Sequence, residues 1–326
     1  MSVARSLTDR LAIPIIAAPL FLVSGPDLVI NCCKEGVLGT FPSLNLRTVE
    51  AFEDWLVQIN DALADHDSTH PGRKAAPYGV NIIAHKTNKR LEADMALVEK
   101  YKVPLVITSV GNPSDIVKTV HGYGGLAFHD VTTPDWARKA VAAGVDGIIL
   151  VCGGAGGHAG VINPFAFLPQ VREFYDGAVA LAGCISDGRS IYAAEALGAD
   201  FAYMGTRFIA TTESMASEPY KHMLVEAGPT ELVYTPAFSG IPANMLRQSI
   251  VDNGMDPDNL PTNDHIDLGE EFNHEAKAWR DIWTAGQGVG AIHDVRPVRE
   301  VIDELKCEYA AARRNRRGAE APQPAI

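Results

Sequence analysis

Ala143-Gly-Val-Asp-Gly147-Ile-Ile-Leu-Val151-Cys-Gly-Gly154-Ala-Gly-Gly-His158-Ala-Gly160 is the stretch on which the fold turns. Its first residues close an amphipathic helix with a glycine, as helix C-termini commonly do. The unbroken apolar run that follows reads as a short buried strand. Five glycines in the eight residues 153–160 then surround a single imidazole. Backbone without Cβ atoms can lie close against a flat or anionic ligand, so a base sits where a ligand can be held.

The same unit recurs outward in both directions. Short apolar runs at 13–17, 37–41, 78–83, 105–109, 125–129, 147–151, 178–182 and 201–204 read as strands. Amphipathic stretches at 48–64, 89–100, 135–143, 165–174 and 189–197 read as helices between them, and Leu197-Gly-Ala-Asp200 repeats the glycine closure. Eight strands separated by helices predict an α/β fold, a (β/α)8 TIM barrel; a doubly wound sheet is the competing architecture. After the eighth strand six prolines fall between 214 and 275 (Pro219, Pro229, Pro236, Pro242, Pro257 and Pro261), which predicts an inserted helical lid. The expected division is a barrel over 1–213 and 276–312, a lid subdomain over 214–275 and a flexible tail over 313–326. Order resumes at 279–287, and 295–313 would form a closing helix.

At 326 residues and 47% hydrophobic composition the chain can bury a large core. Forty acidic against 28 basic residues, net −12, argue against nucleic acid and leave a small molecule as the ligand. The basic run Arg313, Arg314, Arg316 and Arg317 reads as part of a solvated tail. Cys32, Cys33, Cys152, Cys184 and Cys307 have neither disulfide nor zinc spacing, so most are expected to be inert core thiols and no metal is expected. No apolar run approaches the roughly 20 residues of a membrane span. A soluble, cytoplasmic protein without membrane contact is the expectation.

On a barrel, ligands bind at the carboxyl ends of the strands, with phosphate near strands seven and eight. The turns that follow those strands carry Ala182-Gly183 and Tyr203-Met204-Gly205-Thr206, whose backbone N–H groups suit an anion. Residues 154–159 spell a dinucleotide fingerprint, but no helix can start directly after them, and a flat ring against the glycines suits the segment better. Asn81 places an amide in an otherwise buried run, so it needs a partner, for which a ligand's polar edge is preferred.

Taken in order, Ala17-Ala-Pro19-Leu20, Gly79-Val-Asn81, Ala155-Gly156-Gly157-His158-Ala-Gly160, Ala182-Gly183, Met204-Gly205-Thr206-Arg-Phe208 and Trp283-Thr-Ala285-Gly286-Gln287-Gly288 resemble the nitronate monooxygenases, formerly 2-nitropropane dioxygenases. The resemblance implies a flavoprotein oxidoreductase with FMN across a barrel mouth. Ala17, Pro19 and Leu20 would border the ring, with Asn81 at its polar edge. His129, Val151, Gly156, Gly157 and Ala182 would touch the cofactor. Gly183, Tyr203, Met204, Gly205 and Thr206 would hold the phosphate, and Ala285, Gly286 and Gln287 would return beside it. His158 would be the catalytic base that takes the α-proton of a nitroalkane or orients a nitronate, with O2 completing conversion to a carbonyl compound and nitrite. The chain departs from relatives at Gly154 (commonly glutamate), Val151 (glutamine in some) and Leu20 (usually methionine). The alternative on the same barrel is an NAD(P)H-dependent quinone or enoyl-thioester reductase. A homodimer is compatible with either. Among other residues, Tyr234 and Phe238 could close over the ring, while Trp279 and Trp283, four apart, are expected to share a helical face in the core.

Overall fold

The computed structural model describes residues 3–261 and 277–319. Eight parallel strands close on themselves in the order β1-β2-β3-β4-β5-β6-β8-β9. They are β1 (Ile15–Ala17), β2 (Leu38–Pro42), β3 (Gly79–Ile83), β4 (Leu105–Ser109), β5 (Leu126–Val131), β6 (Gly147–Val151), β8 (Ala178–Ala182) and β9 (Phe201–Met204), with β7 (Gly157–His158) lying outside the barrel. Closure is made where Ile16 of β1 pairs with Tyr203 of β9. The architecture is thus the (β/α)8 barrel that the alternation predicts.

Side chains alternate along each strand, so the barrel has two apolar layers. Ile16, Leu38, Ile107, Phe128, Ile149 and Phe201 fill the interior, with Leu7 of the first helix packed against its base. The intervening residues, including Ala17, Val106, Ile148, Leu150, Ala202 and Met204, face the surrounding helices. Fully burying a side chain of this size stabilises the fold by about 1.5–3 kcal/mol. Thr48 and Thr133 cap the helices Val49–Thr69 and Pro134–Ala142 by accepting from Ala51 and Trp136 N–H. Gly198 ends the helix Gly188–Leu197 at φ 112°, a conformation that glycine adopts without strain.

Three expectations change. The segment after β9 is only partly helical: helices Glu218–Glu226 and Arg247–Asp252 flank β10 (Leu232–Thr235) and β11 (Ala243–Leu246), an antiparallel pair. β11 also pairs with β7, Ala243 opposite His158 and Asn244 opposite Gly157, so the excursion is stitched to the glycine loop. Positions 262–275 of the expected lid lie outside the described residues. The basic run does not begin a tail, because the closing helix Val298–Ala319 is continuous through it. Its Arg313 lies within 3.8 Å of Glu195 and over the Tyr309 ring; positions 320–326 lie outside the described residues. Finally, 279–287 is not one helix: the helix Lys277–Arg280 is followed by a separate turn at Gln287–Ala291, and Trp279 has φ 70°.

Candidate active site

A cavity of about 600 Å³ lies at the carboxyl ends of the strands, and each of the eight contributes to its wall with its last residues or those just beyond. That volume suits a cofactor plus a small substrate. The glycine loop brings Gly156, Gly157 and His158 to the wall, and the returning segment brings Ala285 and Gly286. Pro19, Leu20, Val151 and Ala182 supply apolar surface, and Gly183, Tyr203, Gly205 and Thr206 line the end nearest β8 and β9.

Three predicted contacts fall elsewhere. Ala17 and Met204 sit at odd parity to the wall and belong to the helix-facing layer. Gln287 is not on the wall; its backbone N–H donates to the Gly154 carbonyl at 2.8 Å and ties the returning segment to the loop. Tyr234 and Phe238 also stay off the wall, and Tyr234 instead donates its hydroxyl proton to the Ala159 carbonyl at 2.7 Å.

Close approach explains the glycines. A Cβ on Gly156 would stand 2.7 Å from Gly286 N, so at this position the missing side chain admits the returning backbone. Gly154 has φ 85°, and a Cβ there would stand 2.6 Å from Cys184 Sγ. Asn244, buried in β11, donates from Nδ2 to the Ala155 carbonyl at 2.7 Å. The dinucleotide pattern does not open a helix: β7 lies within it, and the next helix, Pro164–Arg172, starts several residues later and is capped separately by Asn163.

His158 is held from two sides: Nε2 lies 3.0 Å from Ser239 Oγ, and the Trp279 ring packs edge-on at 5.0 Å between centroids. Trp279 was not legible as a wall residue. Its positive φ breaks the helical register with Trp283, which instead stacks on Tyr220 at 5.0 Å and 8°. The four-residue spacing therefore misleads.

Hydrogen-bonding character is split across the cavity. Near β8 and β9 the wall is made of donors: among the described residues the N–H groups of Gly183, Cys184, Gly205 and Thr206 meet no protein acceptor. Gly183 and Cys184 both have positive φ, 120° and 60°. Thr206 Oγ1 accepts from Gly286 N–H at 2.9 Å and keeps its own proton to donate. The amino end of the helix Gly188–Leu197 is not part of this cradle, because Asp187 caps Ser190 N–H and Glu308 accepts from Gly188 N–H. Unpaired N–H groups clustered in tight turns form an anion site.

Across β3–β5 the wall accepts instead. Asn81 spends its Nδ2 protons on Ile107 O at 3.2 Å and Ser109 Oγ at 2.7 Å, which leaves Oδ1 for a ligand. Ser109 Oγ–H donates to Asp130 Oδ2. Thr108 donates to the Phe128 carbonyl at 3.0 Å, so the His129 Nδ1–H donates to Thr108 Oγ1 at 2.8 Å. Burial holds the His129 ring below the usual imidazole range, against the pull of Asp130.

Asp130 is the wall residue that the sequence pattern misses. A strand ending at 129 leaves it in the loop, but β5 runs to Val131 and parity turns Asp130 inward with Phe128; His129, bonded to Thr108 of the neighbouring strand, reaches the cavity wall as well. Burial pushes the Asp130 carboxyl up, opposed by His129, Ser109 and His158. The Tyr203 phenol is raised by burial and by Asp130. The cysteines are free thiols; Cys33 and Cys152 are each pushed by burial to about 12, while Cys184 reaches the cavity wall.

A closed barrel whose mouth joins anion donors, an acceptor wall and a histidine in a glycine loop is built as a barrel enzyme's active site is, at the carboxyl ends of the strands. The family model for nitronate monooxygenase matches residues 5–308, and the chain belongs to that family. A nitronate monooxygenase from Paraburkholderia phytofirmans is 28% identical over 93% of this chain and 94% of its own. A 5-hydroxy-7a-methyl-1-oxo-octahydro-1H-indene-4-carboxyl-CoA dehydrogenase from Rhodococcus jostii is 27% identical over 77% of this chain and 68% of its own. Among solved structures, a nitroalkane oxidase from Streptomyces ansochromogenes superposes with a TM-score of 0.78 at 26% identity, covering 95% of this chain and 99% of that one.

Proposed function

We infer that the protein is an FMN-dependent enzyme that oxidises nitroalkanes or their nitronates to a carbonyl compound and nitrite with O2, using His158 as the base. The observation that carries this reading is the position of His158 on the wall of the same cavity whose far end is built of unpaired backbone donors. A phosphate suits Gly183, Cys184, Gly205 and Thr206. The imide N–H of a flavin suits Asn81 Oδ1, and Pro19, Leu20 and Val151 offer apolar surface to the ring. When bound, the flavin supplies a two-electron acceptor that delivers to O2.

The chain's own residues do the rest. An imidazole beside a bound nitroalkane can take its weakly acidic α-proton as a general base. The β7–β11 pairing and the Trp279 contact hold that imidazole in place, which lowers the entropic cost of the transfer.

Purified protein should be yellow and should release nitrite in air from a nitroalkane. His158→Asn should keep the bound flavin and lose about 10²-fold or more in turnover on neutral nitroalkanes; undiminished turnover removes the base assignment. The kinship with a dehydrogenase supports the nicotinamide-dependent alternative. Rapid anaerobic bleaching by NADPH, with none by a nitronate, would decide for it.

A further inference from the structure

Asp130 is the one group on the cavity wall whose charge the proposed reaction leaves unused. Among the described wall residues it alone carries a formal charge, histidines aside, and no lysine or arginine joins it. It points inward from β5, and its carboxylate is held by the Ser109 hydroxyl, which is itself held by Asn81. The groups that face it are His129 from its own strand, Ser109 from β4, His158 from the glycine loop and Tyr203 from β9. A fixed negative charge in such a mouth opposes a second anion and favours a cation formed beside it.

We propose that Asp130 is a specificity-determining residue that selects a substrate entering as a neutral carbon acid and disfavours one arriving already ionised. The proposal rests on His158 acting as the base. In the step it favours, the substrate C–H bond breaks and the proton forms an N–H bond on His158. The electron pair stays with the substrate and spreads onto the nitro oxygens. The Asp130 carboxylate stabilises the imidazolium produced, and it repels a preformed nitronate that competes for the same place.

The holoenzyme and Asp130→Asn can be compared at pH 8 on nitroethane and on preformed ethyl nitronate. Separately, propionate, an inert carboxylate, can be titrated by its perturbation of the flavin spectrum. The expectation is opposite signs: kcat/KM for nitroethane falls roughly tenfold in Asp130→Asn, while kcat/KM for the nitronate rises and propionate binds roughly tenfold tighter. Asp130→Glu should restore the preference for the neutral acid. Parallel losses on both substrates, or unchanged propionate affinity, would overturn the proposal. The propionate titration needs no turnover, so it answers for Asp130 even if His158→Asn shows that the base lies elsewhere.

Discussion

Single atoms decide the geometry of the mouth. A methyl group at position 156 would meet Gly286 N at 2.7 Å and Ala285 C at 2.9 Å, both backbone atoms with little room to yield. Gly156→Ala should therefore cost about 1–3 kcal/mol and loosen flavin retention, read as a lower melting temperature and a lower flavin-to-protein ratio. At Asn81 the amide serves both the wall and a ligand. Asn81→Ala removes both amide bonds, to the Ile107 carbonyl and to Ser109 Oγ, and should cost about 1–3 kcal/mol; flavin affinity measured by titration of the apoprotein should fall with it. Asp130 gives a pH signature. Burial raises its carboxyl, so the native state binds more protons than the unfolded chain between the unfolded value and the raised one. Stability contributed by the protonated form is present below that window and is lost as pH rises through it. Melting temperatures of Asp130→Asn should accordingly gain on the parent as pH increases, and a difference independent of pH would contradict the shift. Asp130 shows why strand ends matter in reading a strand: an end placed two residues early hid its inward carboxyl, while its neighbour His129 lines the same cavity.

At the scale of elements, the glycine loop owes its shape to partners remote in sequence. β7 is only Gly157–His158, yet it joins β11 and through it β10, while Asn244 clasps the Ala155 carbonyl from the same sheet. Asn244→Ala removes a buried donor and should cost about 1–2 kcal/mol. Its kinetic mark should be a fall in kcat larger than any loss of flavin affinity, because the bond fixes the base-bearing loop and not the donor turns at β8 and β9. Equal losses in both would place Asn244 in the cofactor site instead. The barrel strands were legible because each is a short apolar run set between amphipathic stretches, with glycine closures before β6 and β9; β4, β6, β8 and β9 begin and end where the pattern predicts. The hairpin was not, since two four-residue strands are too short to set a local period and β11 takes its other partner, β7, from far back in the chain. Trp279 and Trp283 carry the opposite lesson: a genuine four-residue spacing means nothing once φ at Trp279 turns positive.

For the molecule as a whole, closure depends on the C-terminal helix. Val298, Val301, Ile302 and Leu305 are buried against the barrel, and Glu308 caps the amino end of the helix Gly188–Leu197. Lys306 reaches the Glu35 carbonyl at 3.0 Å, which joins the last helix to one of the first. Truncation after Arg296 should abolish cooperative unfolding and solubility; a folded, flavin-binding product would show that the barrel closes without it. The sequence by itself determined the barrel, the place of its mouth, the glycine loop with His158 and the two donor turns, because repeated local patterns of apolarity and glycine encode them. Tertiary structure alone decided that Asp130 and Trp279 enter the wall, that Ala17 and Met204 leave it, and that the excursion grips the base. Those outcomes depend on strand parity, on one backbone torsion and on pairing between distant segments, none of which leaves a local trace in the chain.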